Sequence, residues 1–69
     1  MIRYKIDIIK ALESKGYTSY KLRQEKIFGQ GTITRLRNQR DVTIGSLNKL
    51  CGLLDCQLGD IIEHVRDID

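Results

Sequence analysis

The sequence predicts an all-α protein, a compact five-helix bundle in which residues 1–69 form a single domain. None of the 69 residues is proline, which is unfavourable inside helices and frequent in the turns of small β proteins. Apolar residues recur at steps of three and four, as they do along one face of an α-helix. No stretch alternates at a period of two for long enough to indicate a sheet. These three observations together favour short helices joined by short turns.

The first two helices are predicted from one apolar stripe and one hydroxyl cap. The stripe has steps of four, three and three residues and consists of Ile2, Ile6, Ile9 and Leu12. This helix ends near Gly16, because glycine is a common helix stop. Thr18 can cap a second helix that turns Leu22 inward and finishes around residues 27–28, just before a glycine.

Three further helices follow the same logic. The third is predicted from Gln30 to Asn38, with Ile33 and Leu36 facing inward. Thr43 can cap the fourth, whose apolar stripe consists of Leu47, Leu50, Cys51 and Leu54. The fifth opens near residues 59–60, where an acidic side chain favours a helix start, and is expected to bury Leu58, Ile61, Ile62 and Val65.

Size and composition exclude several classes of protein. A chain of 8.0 kDa buries only about 60% of its unfolded surface, which leaves little room for a deep substrate cavity. We therefore expect no enzymatic activity, no cofactor and no small-molecule substrate. The longest apolar runs are two residues long, so no membrane-spanning or targeting segment is predicted and a cytoplasmic protein is expected.

The two cysteines and the histidine do not form a standard metal motif. Cys51 and Cys56 are too few for the disulfide framework of a small secreted domain, so reduced thiols are expected. Two cysteines separated by four residues, with one distant histidine at His64, match no standard zinc spacing and lack a fourth ligand. We expect core packing for the thiols, a surface position for the histidine, and no metal.

Charge is distributed unevenly along the chain. The net charge is +3, but residues 18–40 carry six basic side chains against one acidic side chain, a net +5. Residues 41–69 carry two basic and six acidic side chains, a net −4. This asymmetry is expected when one surface meets a polyanion and another does not. A solvated helix face that is merely basic is the alternative.

The basic stretch has the pattern of a helix-turn-helix. Two short helices share a core contact of Leu22 with Ile33 and Leu36, and the second presents a polar, basic outer face. In such a motif the first helix crosses the phosphate backbone, while the second enters the major groove. The stretch therefore indicates binding to double-stranded DNA.

Two motifs resemble a known family. Thr18-Ser19-Tyr20-Lys21-Leu22, the run from Thr32 to Leu36 and the trailing Asn38 are similar to the helix-turn-helix of phage repressors and Cro, the Xre-type transcriptional regulators. Residues 50–63 resemble the run after that motif in a small single-domain branch of the family. The resemblance implies a lambda-repressor-like DNA-binding domain and a transcriptional regulator, most simply a repressor that occupies an operator as a homodimer. The chain departs from the family pattern at Arg23, Ile27, Gly29, Arg37, Gln39 and Leu58.

Positions on the predicted third helix suggest a division of roles. Residues on its exposed side are expected to contact bases, namely Gln30, Gly31, Thr34 and Arg35. The amide of Gln30 suits adenine and the guanidinium of Arg35 suits guanine. Phosphate contacts are expected from Ser19, Tyr20, Lys21, Arg37, Asn38 and Arg40.

A second function, binding of a protein partner, is also compatible with the sequence. The acidic and apolar C-terminal helices could hold a protein partner, as in an antitoxin or an adaptor. DNA binding and partner binding are not exclusive, but DNA affinity falls steeply with salt and a helix-in-groove contact is far less sensitive. The dimer surface is expected on the last two helices, where apolar content exceeds what so small a core can hide.

Overall fold

The computed structural model describes residues 1–66 and contains five helices with a small two-stranded sheet. In chain order the elements are β1 (Ile2–Tyr4), α1 (Ile8–Ser14), α2 (Ser19–Gln24), α3 (Gln30–Arg37), α4 (Ile44–Leu54), α5 (Leu58–Ile61) and β2 (Ile62–His64). The five predicted helices are confirmed. The all-α prediction is not exact, because the two ends of the described chain pair as strands.

The sheet replaces the first half of the predicted first helix. β1 and β2 are antiparallel, with Ile2 opposite His64 and Tyr4 opposite Ile62. The stripe predicted from Ile2 therefore does not exist as a helical face, and the Ile2 side chain is 61% exposed. α1 begins only after Asp7, whose carboxylate accepts a hydrogen bond from the backbone of the first turn. In the sheet, backbone N–H and C=O groups of the strands bond to each other. In the first turn of a helix, the N–H groups would have no partner within the helix and would bond to water.

The ends of α2 and α5 also differ from the prediction. α2 stops at Gln24, three or four residues earlier than expected. α5 is a single turn, held at its start by the Gln57 N–H, which donates to the Asp60 carboxylate at 3.0 Å. Leu58 was expected to be buried but is 46% exposed, because the chain enters the turn with that side chain pointing outward. Ile61 is fully buried as expected, whereas the next residue already belongs to β2.

One apolar core joins all the longer helices. Its buried members are Ile8, Leu12, Leu22, Phe28, Ile33, Leu36, Leu50, Leu54 and Ile61. Every helix contributes at least one of these side chains, so α2 and α3 are fixed relative to each other by a shared interior. Burial of a leucine or isoleucine stabilises the fold by about 1.5–3 kcal/mol each.

The four longer helices of the described chain end in the same way. Each is followed by a residue in the left-handed region, namely Gly16, Lys26, Gln39 and Asp55, with φ of 89°, 56°, 57° and 51°. The N–H of the next residue then returns to a carbonyl five residues earlier, at 2.7–3.1 Å. These are the hydrogen bonds of a Schellman motif, which satisfies carbonyls that the helix end would otherwise leave unpaired. A reversed chain direction after each helix makes the short connections possible.

Candidate nucleic-acid interface

The α2 and α3 helices form a helix-turn-helix with defined ends. The Thr18 hydroxyl accepts a hydrogen bond from the Lys21 N–H at 3.1 Å, so the predicted cap of α2 is confirmed. Lys26 makes the left-handed turn, and Ile27 N–H then donates to the Leu22 carbonyl at 2.9 Å. The left-handed residue of the turn is therefore Lys26. Ile27, which differs from the family pattern, does not need a positive φ. Gly29 begins α3 without a side-chain cap.

The two faces of α3 separate cleanly into buried and exposed residues. Ile33 and Leu36 are 0% and 1% exposed and pack in the core beside Leu22, as the sequence predicted. The four residues expected to contact bases share one exposed face of α3; they are Gln30, Gly31, Thr34 and Arg35. Their positions at i, i+1, i+4 and i+5 place them on one arc of the helix surface. The structure therefore brings these four residues together.

Polar side chains form a hydrogen-bonded chain across the turn. Arg23 on α2 donates from Nη1 to Oε1 of Gln30 at 3.1 Å. Nε2 of Gln30 donates in turn to Oγ1 of Thr34 at 3.3 Å. No role was predicted for Arg23, because the only signal in the sequence was its departure from the residue common in the family. The contact depends on the fold, which brings the end of α2 to the start of α3.

Arg35 has a different environment. No hydrogen bond or ion pair with any of residues 1–66 involves its guanidinium, and the residue is exposed. A Cβ added at Gly31 would lie 3.8 Å from Nη1 of Arg35, an ordinary van der Waals distance. All five N–H groups of the guanidinium remain available for an external acceptor.

The geometry and the family comparison point to the same class of protein. Residues 7–67 match the family of Cro/C1-type HTH DNA-binding domains. The chain belongs to this family. No curated protein and no solved structure matches it. Membership confirms the Xre-type resemblance and identifies the chain as a DNA-binding HTH regulator, and it favours this interpretation over the protein-interaction module.

Two of the residues predicted to contact phosphates are joined in this HTH domain. Nη2 of Arg37, at the end of α3, donates to the hydroxyl of Ser19, at the start of α2, at 3.0 Å. The bond places a guanidinium beside the first turn of α2, where backbone N–H groups are unpaired by the helix itself. Donors from both helices therefore lie side by side at this point.

Lys21 occupies a second position on α2. Its ammonium lies 5.2 Å from the centroid of the Tyr17 ring and 3.8 Å from a carboxylate oxygen of Glu25. The side chain is 46% exposed, so the ion pair is screened by water and is worth at most about 1 kcal/mol. These contacts orient Lys21 without withdrawing its charge from solvent.

The remaining residues predicted to contact phosphates lie at the start of α2 and after the end of α3. Tyr20 is 67% exposed, and Asn38 and Arg40 follow the end of α3 as exposed residues. The Arg40 carbonyl accepts a hydrogen bond from the Tyr4 hydroxyl at 2.8 Å, which ties β1 to the segment after α3. Burial, and secondarily the carboxylate of Asp41, raise the pKa of Tyr4, so the hydroxyl stays protonated and able to donate.

The cysteines pack against the core at the end of α4. Cys51 and Cys56 are free and half-buried, and the Cys56 N–H donates to the Cys51 carbonyl at 3.1 Å as part of the helix stop. Desolvation, followed by the nearby Cys51 thiol and the carboxylates of Asp60 and Asp55, raises the pKa of Cys56. Neutral thiols are poor metal ligands and poor nucleophiles. The first 66 residues contain no group of three or more His, Cys, Asp and Glu placed to hold a metal ion.

The longest helix, α4, has 11 residues. Among the residues described, no helix has the length and apolar character needed to cross a membrane.

Proposed function

We propose that this DNA-binding regulator recognises a specific operator sequence by placing α3 in the major groove, and that it represses transcription in the cytoplasm by occupying that operator. The observation that carries the proposal is the exposed face of α3. Four residues able to approach base edges share it, and the opposite face of the helix is anchored by Ile33 and Leu36. A rigid helix with a polar outer face and basic neighbours is the arrangement by which HTH proteins read DNA.

Two side chains on that face carry base recognition in this proposal. Gln30, the first residue of α3, pairs with the N6 and N7 atoms of adenine. Arg35 pairs with O6 and N7 of guanine, because its guanidinium has the matching fork and no competing partner among residues 1–66. Gly31 allows close approach, and Thr34 offers its methyl group to a thymine or its hydroxyl to a phosphate.

Contacts with the DNA phosphates fix the position of the domain along the duplex. Lys21, Arg37 and Arg40 supply positive charge to phosphates, and the Ser19 hydroxyl with the first turn of α2 supplies further donors. Tyr20 and Asn38 complete this set through their exposed polar groups. Each neutralised phosphate releases counterions, so affinity should fall steeply as salt rises.

The proposal includes a homodimer. One recognition helix covers only a few base pairs, so a symmetric pair would read two half-sites about 34–36 Å apart. We place the contact between the two subunits near α5, because Leu58 is a large apolar residue that is 46% exposed. A monomer in sedimentation, both with and without operator DNA, would contradict this part of the proposal.

Selection of bound sites from a random duplex library tests the function directly. We expect a palindromic consensus. A library with no enriched sequence would refute sequence-specific recognition, and a single asymmetric half-site would refute the dimer.

Variants then separate base contacts from phosphate contacts. Arg35→Ala should cost about 1–3 kcal/mol on the selected operator and flatten discrimination at one base pair. Lys21→Ala should weaken binding to all sequences alike and lower the salt slope by about one. Lys10→Ala is the matched control, because it removes an exposed charge from α1, outside the HTH. Identical behaviour of the first two variants would refute the assignment.

A further inference from the structure

We propose that Arg23 is a positioning residue that makes Gln30 select adenine over guanine. The inference rests on the proposed function, since it concerns the base that α3 reads. It starts from the hydrogen-bonded chain across the turn, in which Arg23 Nη1 donates to Gln30 Oε1 at 3.1 Å and Gln30 Nε2 donates to Thr34 Oγ1 at 3.3 Å.

Arg23 determines which way the Gln30 amide points. A guanidinium is always protonated and has donors but no acceptor, so it can bind only the oxygen end of the amide. The Thr34 hydroxyl both donates and accepts, so it would tolerate either end. With Arg23 in place, the oxygen faces α2 and the nitrogen faces the next turn of α3. A reversed amide would set its N–H groups against a cation.

The fixed amide retains one acceptor site and one donor. Its oxygen has two lone pairs and its nitrogen has two hydrogens, and the contacts with Arg23 and Thr34 use one of each. Adenine presents one donor, N6–H, and one acceptor, N7, in the major groove, whereas guanine presents two acceptors, N7 and O6. The remaining groups of Gln30 therefore match adenine. Two donors, which guanine requires, are no longer available.

Arg23 is free to hold this position in the folded domain. It is an exposed residue of α2, and no carboxylate of residues 1–66 lies within ion-pair distance of it. Its guanidinium spans the turn between the two helices of the motif, so the orientation of Gln30 is set before DNA arrives. Ordering the side chain in advance reduces the entropy lost on binding.

The test compares two variants that lose the same charge. Arg23→Met keeps an apolar stem and removes the donor. Lys26→Met, on the adjoining turn, removes one positive charge from a residue that forms no side-chain hydrogen bond with residues 1–66. Both are measured against the selected operator and the same operator with guanine in place of the adenine opposite Gln30. Thermal unfolding checks that both variants remain folded.

We expect the native protein to favour adenine by about 5- to 150-fold, the range of one good bidentate pair. Arg23→Met should lose at least about fivefold of this preference, because the released amide can turn both N–H groups towards guanine. Lys26→Met should weaken both operators equally and keep the preference. If Arg23→Met also weakens both operators equally, Arg23 contacts phosphate only and the inference is overturned. A native protein that binds every duplex alike would instead overturn the proposed function, and this inference with it.

A second measurement needs no DNA. In the free protein, nuclear Overhauser contacts should connect the Gln30 side-chain NH₂ with the Thr34 side chain. They should disappear in Arg23→Met and persist in Lys26→Met. Contacts that survive in Arg23→Met would show that Thr34 alone orders the amide, which overturns the role of Arg23 even if the domain recognises its operator.

Discussion

Replacing Gln39 with glycine should stabilise the protein. Gln39 follows α3 with φ of 57°, a conformation that costs an L-residue with a Cβ about 1–2 kcal/mol. Glycine adopts it without strain but loses about 0.5–1 kcal/mol more conformational entropy on folding. The difference predicts a gain of about 0.5–1 kcal/mol in the free energy of unfolding. For a domain of this size that corresponds to about 2–8 °C in Tm.

The gain should be measurable by thermal and urea unfolding followed by circular dichroism. Gln39→Ala is the matched control, because it removes the same amide but keeps the Cβ and therefore the strain. The Gln39 side chain forms no hydrogen bond within the described part of the chain, so its loss alone should change little. If Gln39→Gly is no more stable than Gln39→Ala, backbone strain does not account for the conformation of this turn.

Two further predictions concern a helix cap and a titrating side chain. Thr43→Ala removes the hydroxyl that accepts from the Ser46 N–H at 3.1 Å, so α4 should lose about 1 kcal/mol and Tm should fall by about 4–8 °C. Thr43→Ser retains the cap and should remain near the native Tm; equal losses in both variants would contradict a capping role. Tyr4 has a raised pKa in the folded protein, so its contribution to stability is present below the unfolded value of 10.0 and is lost as pH rises through the folded value. Urea unfolding between about pH 8 and 11 should therefore show the native protein losing its advantage over Tyr4→Phe, and a constant difference across that range would disprove the assignment.

Sequence reasoning succeeded where structure is determined locally. The caps Thr18 and Thr43 and the start of α3 depend on residues only a few positions apart and were predicted correctly. The predicted end of α3, Asn38, lies one residue beyond the observed end at Arg37. The exposed face of α3 followed from the same periodicity, because two buried residues fix the orientation of the whole helix.

The largest error arose from a contact between distant parts of the chain. β1 forms only because β2, some 60 residues later, pairs with it, and a window of neighbouring residues contains no sign of that partner. The spacing of Ile2 and Ile6 fits a helix by itself, so periodicity favoured the wrong element. The interaction of Arg23 with Gln30 was missed for a related reason, since the turn between their helices brings them together.

The sheet between β1 and β2 also determines the order in which the domain should assemble. Packing of α1 against α3 and α4 closes shorter stretches of the chain, whereas this pairing closes almost the whole described chain and adds only three residue pairs. Closing so long a loop costs conformational entropy, so we expect this strand pairing to form late in folding. Amide hydrogens of the sheet should therefore exchange with solvent through local opening. Those of α3 should exchange more slowly, because their exchange requires global unfolding. We therefore expect the strands to pair after the two helices of the HTH have packed.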